Sequence, residues 1–365
     1  ASTFARLRSE ELHTQYLHLF MKLYEQIIRY NPKGIGLPHI NPDLLWNLEI
    51  PVPPLNVQEQ IVSSFNKKQE IVENVGHTAS KIKAQLDLLK MSIMKSACEG
   101  HLVSTEAVLA REEGRDYEPA NVLLEHMFTE RRTLFKEENP GKKYKEPVEL
   151  DTTGLPKLPE GWCWVSFDSL LIEPLKNGKS AKATDHDGIR CITLTAVTVS
   201  DYSITNTKIV SLSKEEVEGL WLEKGDLLIQ RSNDKKLVGT ASLYEGPENY
   251  SIYPDLIIRA RFLSSINPKF IEAFLMSPVG REYMKSKARG TSGNMPKINQ
   301  EIIRQMPIPL PPSNEQIRIV ERTESLLGWS EGCEERLKSI QSDSKILTLS
   351  LMNKVITSLT NEVAV

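Results

Sequence analysis

The chain has few cysteines, no long apolar run and almost no net charge, and each shortage closes a class of function. Its 365 residues include four cysteines, Cys98, Cys163, Cys191 and Cys333. No two form a C-x-x-C pair and no histidine stands at finger spacing from them, so a structural zinc site is not expected. With no secretory leader visible, the expectation is four reduced thiols in a cytoplasmic protein. No apolar run approaches the ~18 residues that a membrane span needs, so no membrane partner is expected. The formal net charge is −3 at pH 7. Any contact with nucleic acid must therefore come through a local basic patch, or beside a partner that brings more positive charge. At 40% hydrophobic and 25% charged residues the composition is that of a globular chain, with a length suited to roughly two domains.

What is present is an internal repeat. Residues 38–61 read PHINPDLLWNLEIPVPPLNVQEQI and residues 296–317 read PKINQEIIRQMPIPLPPSNEQI. Pro38, Ile40 and Asn41 match Pro296, Ile298 and Asn299. Ile50-Pro51-Val52-Pro53-Pro54 matches Ile308-Pro309-Leu310-Pro311-Pro312 at the same offset, and after a two-residue gap Glu59-Gln60-Ile61 matches Glu315-Gln316-Ile317. The prolines end the preceding segment and force the residue before each into extended geometry. Asn56 or Asn314 is then the expected cap of the helix that follows.

Each copy continues into a long proline-free stretch. In the first, Ile61, Phe65, Val72, Val75, Ala79, Ile82, Leu86, Leu89 and Ile93 recur mostly at steps of three and four, the seam of a coiled coil. The second offers Val320, Leu327, Leu337, Ile340, Leu347 and Leu351 in similar phase, weakened by Ser330 and Ser344. A helix of ~38 residues is ~57 Å long. Two ordinary core helices are the alternative to a paired rod.

Between the copies, residues 105–157 are polar and charged, with one amphipathic segment, Val122 to Phe135, and a basic Gly141–Lys145 piece read as a solvated linker or a phosphate contact. Leu158-Pro159-Glu160-Gly161-Trp162 then opens a region of short β-type runs: CITLTAVTV, KIVSL, DLLIQ, TASLY and DLIIRARF. Residues 268–287 read as a helix broken at Pro278. An α+β globule is expected here. In the strand at 257–262, alternation places Arg259 and Arg261 on one face, opposite Ile258, Ala260 and Phe262. Their anionic partner is either an external ligand or carboxylates of the chain itself. Phe4-Ala5-Arg6-Leu7-Arg8 echoes this strand, and Tyr16 to Met21 echoes Phe270 to Leu275. Residues 1–33 thus read as the C-terminal end of a second β-rich copy, whose front, roughly 100 residues by the repeat offset, is expected to be missing.

In its order and duplication, this layout resembles the specificity (S) subunit of Type I restriction-modification systems. The L-P-E-G-W opening, K-G-D-L-L-I at Lys224 to Ile229, T-S-G-x-x-x-K-I at Thr291 to Ile298, and the proline segment at Pro307 to Ile317 are all similar to that family. The resemblance implies an α+β fold: a β-rich target recognition domain, plus two long helices packed antiparallel as a coiled-coil spacer. The implied division is a recognition-domain remnant at 1–33, a first proline connection and long helix at 34–104, a linker at 105–157, the second recognition domain at 158–300, and a second connection and helix at 301–365. It implies recognition of one half of a split site on double-stranded DNA, without catalysis by this chain. The implied partners are two methyltransferase subunits that use S-adenosylmethionine, and restriction subunits that use ATP and Mg. With one recognition domain absent, two such chains are further expected to pair through their helices.

Catalytic motifs are missing as well. There is no N/D-P-P-Y/F segment and no glycine-rich cofactor loop of the kind a methyltransferase needs. Asn177-Gly178-Lys179-Ser180 ends like a phosphate loop, but Glu173 occupies the required glycine position. His186, between Asp185 and Asp187, reads as a polar turn. The candidate DNA contacts lie in three loops. The first supplies Lys176, Asn177, Lys179, Ser180 and Lys182. The second supplies Arg231, Ser232, Asn233, Lys235 and Lys236, with Arg231 and Asn233 suited to bidentate reading of guanine and adenine. The third supplies Thr291, Ser292, Asn294 and Lys297 for phosphate, and Arg259 and Arg261 complete the set. The alternative for the whole chain is a coiled-coil scaffold that assembles proteins. DNA binding would weaken steeply with salt and scaffold assembly would not.

Overall fold

The computed structural model describes residues 11–25, 28, 41–185, 187–232, 234–289 and 296–363. The chain is α+β. Its first part is helical: α1 (Thr14–Leu23), α2 (Pro42–Trp46), α3 (Leu55–Cys98), α4 (Glu106–Glu113) and α5 (Ala120–Glu138). The β-rich part holds β1 (Cys163–Ser166), β2 (Lys176–Asn177), β3 (Ile189–Ile192), α6 (Leu194–Val199), β4 (Thr207–Val210), β5 (Leu227–Gln230), β6 (Ala241–Leu243) and β7 (Ile257–Ala260). Then come α7 (Pro268–Met276), α8 (Pro278–Lys287), α9 (Gln300–Arg304), β8 (Pro307–Leu310) and α10 (Ser313–Val363). The chain divides into two compact units, residues 1–87 with 330–365, and residues 88–329.

In the first unit the long helices carry the seam. Phe65, Ala79 and Leu86 are buried, and with half-buried Val72 they fall at strict seven-residue steps. The other heptad position is left 37% exposed at Val75 and 39% at Ile82. These two side chains line an open groove together with Leu337 and Ile340 of α10. Helix α3 begins in this unit and α10 ends in it. At 44 and 51 residues they exceed the expected length, at about 66 and 77 Å if straight.

Both long helices start directly after their proline pair. The carbonyl of Pro54 accepts from Val57 N and Gln58 N, and that of Pro312 from Glu315 N and Gln316 N. Asn56 and Asn314 therefore sit inside the first turn, not at the cap. The repeat also runs on without its expected gap. Gln58, at the same offset from Gln316 as the preceding prolines, is fully buried like Gln316. Its Nε2 donates to Pro53 O at 2.7 Å and its Oε1 accepts from His13 N, the residue ahead of α1, at 2.8 Å. Gln316 Nε2 donates to Pro311 O at 3.1 Å and its Oε1 accepts from Asn267 N, the residue ahead of α7, at 2.9 Å. Tyr16 and Phe20 of α1, and Phe270 and Phe274 of α7, are buried in corresponding turns. The echo of 16–21 in 270–275 is thus structural. The echo proposed for residues 4–8 lies outside the described residues.

The second unit is organised by a four-stranded antiparallel sheet in the order β2-β7-β5-β6. All four residues of β5 and of β7 are buried, because both faces of the sheet are covered. Leu227 and Ile229 of β5 and Ile258 and Ala260 of β7 enter the main core with α5, α7, Met284 and Ile308. Leu228 and Ile257 enter a second core with β3, β4, α6, Tyr244 and Tyr253.

Two expectations of local structure change. The run CITLTAVTV is half strand and half helix: Thr193 caps Ala196 N at 3.4 Å and Ser200 ends α6 at φ 52°. Residues 105–157, read as a linker, contain α4 and α5, and Ala120, Leu123 and Met127 of α5 are part of the main core. The break at Pro278 is observed, with Ser277 capping α8 through Gly280 N. All four cysteines are free.

Candidate nucleic-acid interface

Strand β7 is antiparallel to both β2 and β5, so the C-terminal ends of β2 and β5 lie at the same sheet edge as the N-terminal end of β7. The first two basic loops therefore leave the sheet side by side. Backbone bonds fix them to the segment entering β7: Lys179 N to Tyr253 O at 3.0 Å, Gly178 N to Ile257 O at 3.2 Å and Arg231 N to Leu256 O at 2.8 Å. Gly178 is required by this approach, since a Cβ there would stand 2.1 Å from Tyr253 O. The third loop joins the same edge. Ile298 N donates to Arg231 O at 2.8 Å, and Lys297 pairs with both Ser232 and Arg289. Gln300 Nε2 donates to Asn177 Oδ1 at 3.0 Å, closing the ring of loops.

The side chains in these loops divide into engaged and unengaged. Lys179 forms an exposed ion pair with Glu216 at 2.9 Å, and Ser180 hydrogen-bonds Asp255. Lys176 is half-buried, with its ammonium against Gly219. Ser232 is only 2% exposed, so its hydroxyl is withdrawn from any ligand, against expectation. By contrast, Lys182, Lys235, Lys236, Arg289 and Lys297 are exposed and Arg231 is half-exposed. Among the described residues none of these six makes an ion pair. Asp234 shapes the turn between them, its Oδ1 accepting from Lys236 N at 2.7 Å and Leu237 N at 2.9 Å. Arg281 reinforces that turn by donating to the carbonyls of Lys236 and Val238. It carries no signal in sequence, since its role depends on the packing of α8 beneath the loop. Asn233, Thr291, Ser292 and Asn294 lie outside the described residues, as does His186.

Arg259 and Arg261 are corrected. The alternation is as expected, but Arg259 on β7 is turned toward the second core, and Arg261, one residue past the strand, is held by carboxylates of the chain. Arg259 is 2% exposed; its Nη2 is 2.8 Å from Glu173 Oε1, its Nη1 donates to Trp221 O at 3.0 Å, and its guanidinium lies 5.7 Å from the Tyr253 ring centre. Arg261 Nε meets Asp226 Oδ1 at 2.6 Å and its Nη2 meets Glu223 at 3.0 Å. Desolvation works against the Arg261 charge, yet the bond to Asp226 and the neighbouring carboxylates hold its pKa above the usual arginine value. Both arginines spend their charge inside the chain.

Among the described residues there is no group of three or more His, Cys, Asp or Glu side chains placed to hold a metal ion, and no helix is long and apolar enough to cross a membrane.

Residues 182–340 match the family model described as the Type I restriction modification DNA specificity domain. The chain is 25% identical to the Type I restriction enzyme EcoEI specificity subunit of Escherichia coli, over 92% of this chain and 64% of that protein. It is 25% identical to the EcoKI specificity subunit of Escherichia coli (strain K12), over 95% and 66%, and 23% identical to the MjaVIII specificity subunit of Methanocaldococcus jannaschii, over 97% and 74%. The chain thus spans just under two thirds of the length of the first two. A chain from a solved structure on complex assembly and conformational transition of the type I R-M system shares the fold, with a TM-score of 0.62 at 17% identity over 96% of this chain and 73% of that one. Residues 182–340 are thus similar to the DNA specificity domain, and the chain is similar to Type I specificity subunits along most of its length.

Proposed function

We propose that this chain is the DNA-reading subunit of a Type I restriction-modification complex, and that it catalyses no reaction itself. The observation that carries the reading is the gathering of three sequence-distant basic loops on one edge of the β2-β7-β5-β6 sheet, with six cations that no carboxylate of the described chain neutralises. Such an edge suits a phosphate backbone electrostatically and presents Arg231 to base edges. Lys182, Lys235, Lys236, Arg289 and Lys297 are assigned to phosphates. Asn233 is assigned to bases beside Arg231, and Thr291, Ser292 and Asn294 to the backbone, on sequence grounds alone. Lys176, Asn177, Lys179 and Ser180 are assigned to shaping and flanking the edge.

The half-exposed seam positions Val75 and Ile82 support a second role for the long helices, holding protein partners. Those partners are proposed to be two methyltransferase subunits, which bring S-adenosylmethionine, and restriction subunits, which bring ATP and Mg. Two copies of this chain are also proposed to pair through the same helices. The cytoplasm, where such a complex meets DNA, is the proposed location. The test is selection of bound duplexes from a random pool, with and without a methyltransferase subunit. A short enriched motif is expected; a doubled, inverted motif would indicate two chains. No enrichment with the partner present would sink the reading.

A further inference from the structure

A second cationic feature lies within the second unit, beside the first basic loop. The end of α5, the 143–146 segment, residues 168–175 and α9 enclose a cavity of about 220 Å³. Its charges do not balance. Asp168 meets Arg304 in a bidentate pair, 3.2 Å at each oxygen, and also lies 3.9 Å from Arg131. Arg304 also meets Glu301 at 3.3 Å, so two carboxylates match the two guanidiniums, and the excess positive charge rests with the lysines. Glu146 is drawn off by Arg132, which it meets at 3.0 Å through both oxygens. Lys143 and Lys145, which line the mouth, are exposed and make no ion pair among the described residues. The Tyr144 hydroxyl is buried there without a hydrogen-bond partner, its ring held edge-on to Phe135 at 5.3 Å. Burial raises the phenol's pKa against the opposing charge of Arg131, so the group is a neutral donor. A buried donor left unmade is costly, and it calls for an acceptor.

We propose that this cavity binds a phosphate group, held by Lys143, Lys145 and the Tyr144 hydroxyl. A phosphate is acceptor-only and anionic, which matches a lining of donors with excess positive charge. Its source is a backbone phosphate of the duplex: Gln300 lines the cavity and bonds Asn177 of the first basic loop, so the two sites adjoin. That choice of source rests on the DNA reading, whereas the chemistry of the cavity does not. A free phosphate is the other source.

The experiment is hydrogen–deuterium exchange on the full chain with two probes, a target duplex and inorganic phosphate at matched ionic strength. It follows the peptide around 139–148 and those around 176–182 and 231–236. The expected result is protection of all three regions by duplex, with protection of 139–148 lost in Lys143→Ala/Lys145→Ala and weakened in Tyr144→Phe. The slope of log affinity against log salt should also fall by about one per lysine removed. Protection of 139–148 by phosphate alone supports the cavity with a free anion as its ligand. Duplex protection of the two loops but not of 139–148, with phosphate also inert, overturns the cavity and leaves the DNA reading standing. No protection by either probe overturns both.

Discussion

Strand β7 and the loop after β5 both carry closely spaced positive side chains, and in sequence they look like equal offers to DNA. The structure treats them oppositely. Arg259 and Arg261 stand on a strand whose two faces are covered, so their charge must be matched within the chain, and Glu173, Glu223 and Asp226 do so. Lys235 and Lys236 stand on a turn shaped by Asp234, and among the described residues neither lysine makes an ion pair. The difference teaches that the positive charge available to a ligand sits where the sheet ends, because there the backbone is held by its own bonds and the side chains have nothing to fold against.

Substitutions can break this comparison. The largest effect is expected from Arg259→Ala, which empties a buried site and takes from Glu173 its nearest partner while Asp226 keeps Arg261; a loss of about 3 kcal/mol in denaturant unfolding is expected. If stability were unchanged while DNA binding fell, the internal role assigned to Arg259 would be wrong. Gln316→Ala removes another internally used polar group. It orphans Asn267 N and Pro311 O, at about 1–3 kcal/mol for each, and Gln58→Ala should do the same to His13 N and Pro53 O. Urea midpoints of both variants measure this; a shift in neither would show that the paired junctions are not held by their glutamines.

On the loop side, Arg231→Ala is expected to leave stability unchanged and to cost about 1–3 kcal/mol of discrimination at one base pair, read as a relaxed position in the selected motif. Lys235→Ala/Lys236→Ala should act on every sequence alike and lower the salt slope by about two. A changed motif with an unchanged slope would reverse the roles of the arginine and the lysines.

Much of the molecule was legible because it depends on local rules. Proline pairs mark where helices α3 and α10 begin, and the three-and-four spacing marks their seam. The runs KIVSL, DLLIQ, TASLY and DLIIRARF became β4, β5, β6 and β7. The three basic loops were visible as clusters between those runs. What was misread depends on distant residues. The Glu59-Gln60-Ile61 match suggested a gap, whereas Gln58 is the residue whose amide reaches the proline carbonyl. Only the position of His13, far back in the chain, reveals this. The arginine pair was assigned to a surface because nothing in 257–262 shows that residues 189–222 fold over that face.

By itself, then, the sequence determined the repeat, the long helices, the strand runs and the loops in which cations gather, since periodicity and turn chemistry act over a few residues. Only the tertiary structure decided which cations remain free, since ion pairing is a contest between desolvation and the nearest carboxylate. Where that carboxylate lies is set by the register of β7 against its neighbours and by the second core above it.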